Sequence, residues 1–125
     1  MRHAYLAIVF LVSLNSCYER ERNCADFKNG SFQFESSIGG ETVTTTFVRN
    51  DTLEIDYYQG KADSASIRWI NDCEYIVKKI NPKTMSERKA IHMKILYTKG
   101  DSYTFEYSIV GDDKNKQRGT ATKMN

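Results

Sequence analysis

A serine or cysteine nucleophile needs a base within hydrogen-bond reach, most often an imidazole. The chain of 125 residues has two histidines, His3 and His92, and His92 stands on the polar side of an alternating segment, where its side chain is expected to be solvated. Glu54 and Asp56 alternate on one strand face, a spacing that can pair two acids for proton transfer. Arg49, Lys61 and Arg68 on neighbouring segments offer them ion partners instead. Asp112 and Asp113 with Asp101 supply oxygen ligands of the kind calcium takes, but the loop lacks alternating acids and Lys114 and Lys116 follow directly. A solvated hairpin tip is expected there. No glycine-rich phosphate loop joins a strand to a helix. The eight tyrosines fall largely on strand-like segments, where a phenol serves packing. Neither catalysis nor a cofactor nor a metal site is expected.

The residues with the clearest chemistry lie at the N-terminus. Arg2 and His3 precede an apolar stretch from Ala4 to Leu14, the order of parts in a secretory signal. At about 1.5 Å per residue this stretch covers roughly half of a ~30 Å hydrocarbon core, too little for a span. Its last residues, Leu14-Asn15-Ser16-Cys17, resemble the lipobox of bacterial lipoproteins. That resemblance implies a diacylglycerol on the Cys17 thiol, cleavage just before it and acylation of the new amine. Asn15 departs mildly from the pattern, in which small residues are commoner. Two or three acyl chains, at ~0.8 kcal/mol per buried CH₂, make attachment effectively permanent. Tyr18 in place of an aspartate after the lipidated cysteine favours the outer membrane. Residues 1–16 are therefore read as signal, 17–30 as lipidated N-terminus and solvated tether, and 31–125 as one domain.

Removal of residues 1–16 takes away one formal charge, Arg2, from a chain with 18 basic and 16 acidic side chains. The near balance excludes the clustered basic field of nucleic-acid binders. Two cysteines remain, Cys24 and Cys73, in a chain bound for a compartment where disulfides persist. A bridge between them is expected, with two buried free thiols as the alternative; a second cysteine pair for zinc is missing.

The elements that position these groups read as strands, from period-two alternation broken by turn residues. About eight are expected, near 31–36, 42–49, 52–58, 65–70, 73–79, 91–98, 102–110 and 117–124. Asn50-Asp51 marks a tight hairpin, and the segment around Asn71-Asp72 folds back with an odd number of loop residues. Pro82 after Asn81 suggests one helical turn, and Gly119 a bulge or bend. Short connections make sequential strands antiparallel neighbours. The expected fold is all-β: a meander forming a small lipocalin-like barrel or a strongly curled half-barrel. Its apolar face carries Phe32, Phe34, Phe47, Tyr57, Trp69, Tyr75, Tyr97, Phe105 and Tyr107, as core or as ligand lining.

Arg68-Trp69-Ile70-Asn71-Asp72-Cys73-Glu74-Tyr75 and Gly111-Asp112-Asp113 resemble segments of a family of small bacterial lipoproteins, with similarity over essentially all of the mature chain. Some members carry the name DNA topoisomerase IV, which a domain of this size outside the cytoplasm does not support. The strand count and the tryptophan-bearing hairpin resemble lipocalin-like barrels more loosely. Two functions follow as expectations: a non-catalytic interaction or envelope-structural module anchored in the membrane by its acyl chains, or a binder of a small hydrophobic molecule. No nucleic acid is expected as a partner.

Overall fold

Alternating apolar residues must be brought onto one surface, and in this chain that surface closes on itself. The computed structural model describes residues 20–124, in which eight antiparallel strands form a closed barrel in sequence order. They are β1 (Gly30–Ile38), β2 (Glu41–Arg49), β3 (Leu53–Tyr58), β4 (Lys61–Asn71), β5 (Glu74–Lys79), β6 (Ile91–Lys99), β7 (Ser102–Ile109) and β8 (Gln117–Lys123). The half-barrel alternative is removed by the pairing of β1 with β8, Phe32 opposite Lys123 and Phe34 opposite Ala121. Closure leaves no unpaired sheet edge between first and last strands over that stretch.

The two ends of the barrel differ. At one end lie the start of β1, the β2–β3, β4–β5 and β6–β7 turns and a single 3-10 turn, Cys24–Phe27. Sequence patterning did not announce that turn. Phe27 is buried and packs at 5.1 Å from the Tyr103 ring and 6.4 Å from Phe32, so the turn plugs this end. The Cys24–Cys73 disulfide ties the plug to the β4–β5 turn across 49 residues. Residues 24–27 of the expected 17–30 tether are therefore part of the barrel's packing. Glu21 accepts a hydrogen bond from the Thr98 amide at 2.7 Å, and Asn23 donates its amide to Thr98 Oγ1 at 2.9 Å. Arg20 lies 4.3 Å from the Tyr97 ring centroid. Exposed side chains on a docked backbone replace the free tether from Arg20 to Asn23.

Several local expectations change. β4 begins at Lys61, four residues before its expected start. Its turn to β5 is two residues long, and a register shift between Trp69 and Asn71 adds the odd residue that keeps Trp69 opposite Tyr75. No helix forms after Pro82. Thr84 and Glu87 close that loop instead, Glu87 donating its amide to Thr84 Oγ1 and accepting from the Lys83 and Thr84 amides. Gly119 carries no bulge, since β7–β8 register runs unbroken through it. A Cβ there would meet the Phe34 and Phe105 rings at 2.7 Å, so glycine makes room for two aromatic side chains.

Candidate functional site

The β2–β3 connection decides what faces the barrel interior. Arg49 pairs with Glu54 and Phe47 with Asp56, so the four residues between Arg49 and Glu54 set odd residues of β2 beside even residues of β3. Asn50 holds this loop, its side-chain oxygen accepting from the Thr52 and Leu53 amides at 3.0 and 2.8 Å. Because Phe47 points inward, Glu54 and Asp56 do too, and Leu53, Ile55 and Tyr57 point out. The expected faces of β3 are therefore reversed. Tyr57, assigned to the apolar face, is 45% exposed, while Glu54 is 8% exposed.

Burial of Glu54 is compensated by Arg49, itself 2% exposed. Arg49 Nε and Nη2 donate to Glu54 Oε1 at 3.1 and 2.9 Å. Nη1 reaches the Phe27 carbonyl at 2.9 Å, and Nη2 reaches the Tyr75 and Tyr103 hydroxyls at 2.8 and 3.0 Å. The guanidinium also lies 4.8 to 5.8 Å from the ring centroids of Tyr75, Phe32, Phe47 and Tyr103. One cation thus ties the plug, β2, β3, β5 and β7 together at the barrel's centre. Burial alone disfavours the charge on Arg49, but the surrounding Tyr75, Tyr103 and Glu54 outweigh it and keep it protonated. Burial raises the phenol pKa values of Tyr75 and Tyr103, which stay neutral.

On the plug side of Arg49 the barrel is full. Phe32, Ile95, Tyr103 and Ala121 are at most 1% exposed, and Phe32 stacks on Phe47 at 5.1 Å. On the other side a cup of about 330 Å³ remains. Arg49, Glu54 and Tyr103 form its floor; Phe34, Phe47, Met93 and Phe105 line its wall; Asp56 stands on the wall and Tyr58 at the mouth. A smaller recess of about 140 Å³ shares Asp56 and lies beneath the β5–β6 connection. There Lys79 bridges Asp63 and Glu87, each at 2.9 Å. A broader hollow of about 760 Å³ follows the β1–β8 seam, lined by Gln33, Phe34 and Glu35 against Arg118, Gly119 and Thr120. It is a groove in the wall that includes both outward polar side chains and the inward Phe34, and it lacks the convergent polar floor of the cup.

Asp56 differs from its neighbours. No cation lies within ion-pair distance of it among the described residues, because Arg49 is held by Glu54 and Lys79 by Asp63 and Glu87. Burial, then the adjacent Glu54 and Asp63, push its pKa up to about 7.

The other expected site residues divide. Phe34, Phe47 and Phe105 meet at the cup, with Phe34 and Phe105 rings 5.7 Å apart. Tyr75 is fully buried on the Arg49 floor. Trp69 is half-buried, 4.5 Å from the Tyr75 ring, with Lys28 Nζ at 5.1 Å from its own ring and its Nε1 buried without a hydrogen-bond partner. Tyr107 is half-buried and donates to Gln117 Oε1 at 2.8 Å. Tyr97 corrects the sequence reading: a register shift between Ile95 and Tyr97 turns it outward, beside Arg20, and sets Thr98 inward. His92 faces out, 3.3 Å from the Glu74 carboxylate. Asp112 is engaged by the Lys114 and Asn115 amides of its own turn. Cys17 lies outside the described residues. The interior residues that sequence reasoning missed are Arg49, Glu54, Asp56, Tyr58, Met93 and Tyr103 as cup or floor; the even-length hairpin expected at Asn50-Asp51 was the signal that pointed to the two acids.

Among the described residues no helix is long and apolar enough to cross a membrane. No family model matches the chain, and no curated protein is significantly similar to it.

Proposed function

We propose that this is a non-catalytic lipoprotein of the bacterial cell envelope, anchored through Cys17 in the outer membrane, whose barrel binds a small, partly apolar molecule. The cup carries the binding half of this reading. A barrel packed solid at one end by Phe27, Phe32 and Ile95 keeps space of about 330 Å³ at the other, at the lower end of the ~300–1,000 Å³ that small-molecule sites use. Aromatic wall and polar floor are the usual division of labour in such sites, apolar area for affinity and a few polar groups for orientation. The lipobox-like Leu14-Asn15-Ser16-Cys17 supports the anchoring half.

The test is native mass spectrometry of the protein extracted in detergent from membranes of its own host. A retained molecule of small mass, absent from a Met93→Trp variant whose indole fills the cup, is the expected result; a barrel that is empty in both forms overturns the binding reading. A second reading, an interaction module, draws on the exposed Ile80, Met85, Ile91, Ile109 and Val110 on the strand ends and connections at the open rim. It predicts a co-purifying envelope protein that is lost when Met85 and Val110 are changed to Ser.

A further inference from the structure

The cup's charge narrows what it can hold, an inference that rests on the binding reading above. Four carboxylates, Glu54, Asp56, Asp63 and Glu87, and three cations, Arg49, Lys79 and Lys89, line the cup and its connected recess. Glu54 takes Arg49, while Asp63 and Glu87 share Lys79. Asp56 is left between the aromatic wall and that acidic side. We propose that the cup binds a small amphiphile bearing a protonated amine, its apolar body against Phe34, Phe47, Met93 and Phe105 and its nitrogen against Asp56.

The alternatives fit less well. An anionic head group would meet Glu54 and Asp56 together, while the one cation on the floor already donates to a carboxylate, a carbonyl and two phenols. A wholly apolar guest would close the cup over Asp56 and leave it no partner but the Glu54 carboxyl, and covering a carboxyl without donors for its other lone pairs is costly. An amine supplies both a charge and donors. Tyr58 at the mouth offers an aromatic ring to the same cation, a further favourable contact. Empty, Asp56 meets its burial by holding a proton up to about pH 7, so an amine replaces that proton on binding. The groups facing Asp56 are Arg49 from β2, Glu54 and Tyr58 from β3, Asp63 from β4, Lys79 from β5, Tyr103 from β7, and Glu87 and Lys89 from the β5–β6 connection. Among these, the acids nearest Asp56 add to its pull on a cation.

Calorimetric titration of the full mature protein in detergent tests this with three matched phenols: tyramine, 4-ethylphenol and 3-(4-hydroxyphenyl)propanoate. At pH 8.5 tyramine is expected to bind about tenfold or more tightly than 4-ethylphenol, a gap of ~1.4 kcal/mol, and the propanoate weakest of all. Lowering the pH to 5.5 should weaken tyramine and leave 4-ethylphenol unchanged. Asp56→Asn, with its fold checked by near-ultraviolet circular dichroism, should bring tyramine down to the level of 4-ethylphenol. Equal binding of tyramine and 4-ethylphenol, or tyramine binding indifferent to Asp56→Asn, overturns the amine and leaves the cup standing as a site. Absence of heat from all three compounds overturns the cup as a site, and the amine with it.

Discussion

Arg49 is the residue through which the interior acquires a polar centre. An ion pair this deep costs several kcal/mol of desolvation per charge, and it persists because Arg49 also donates to the Phe27 carbonyl and to the Tyr75 and Tyr103 hydroxyls. Removing only the cation should therefore be worse than removing the pair. Arg49→Met is expected to lower stability by about 3–5 kcal/mol in urea titration, while Arg49→Met with Glu54→Gln recovers much of the loss. Equal loss in single and double variants would show that the Arg49 stem, and not its charge, holds the floor. Asp56 has the opposite sign. Its carboxyl pKa is raised in the folded state, so its stabilising contribution is complete below the ordinary value of 3.8 and is lost as pH climbs to about 7. Wild-type stability should decline through that window by as much as a few kcal/mol. Asp56→Asn should flatten the decline and leave the protein more stable than wild type at pH 8, measured by thermal melts across pH.

Elements are set here by turns and by single inserted residues more than by strand propensity. An odd residue in β6 turns Tyr97 out and Thr98 in; another, between Trp69 and Asn71, lets a two-residue turn preserve the aromatic pair beneath it. Such insertions matter because side chains alternate with period two, so one residue reverses every position beyond it. The 3-10 plug depends on its bridge for similar reasons, since a four-residue turn has little cohesion of its own. Closing the 49-residue loop constrains the unfolded chain by roughly 4 kcal/mol in the entropy model. Replacing Cys24 and Cys73 together by Ser should cost about that much, and hydrogen exchange should rise first at Phe27, Tyr103 and Thr98, where plug meets barrel. Uniform loss of protection across all strands would argue that plug and barrel are one cooperative unit.

The whole molecule is polarised along its axis: plugged and cross-linked at one end, hollow at the other. If Cys17 carries acyl chains, as proposed, only Tyr18 and Glu19 separate it from Arg20, which already packs on Tyr97. The three Cα-to-Cα steps reach no more than about 11 Å. The plugged end then faces the lipid and the cup opens away from it. On vesicles, protease cleavage at Lys99-Gly100-Asp101 near the plug should slow relative to the Cys17→Ala form, while cleavage at Lys114 and Lys116 near the mouth should not change. Equal protection at both ends would mean that the tether leaves the barrel free to tumble.

The sequence by itself determined a good deal. Alternation and turn residues placed eight strands within a few residues of their observed bounds, and short connections made them an antiparallel meander. The Cys24–Cys73 bridge followed from the count of cysteines left once Cys17 is assigned to the lipobox-like segment. These features are local or arithmetic. Which side chains share the interior is neither, because the polarity of β3 points the wrong way: Leu53, Ile55 and Tyr57 look like core, and Glu54 and Asp56 like surface. The loop from Asn50 and the inward Phe47 override that preference, and the exchange is tolerable only because Arg49 pairs with Glu54 while Phe27, Tyr75 and Tyr103, from distant parts of the chain, converge on Arg49. Hydrophobic pattern records the preference of each residue for water, whereas closing the barrel assigns its partners. Only the tertiary structure decided that two acids and an arginine would face the cup that the core leaves open.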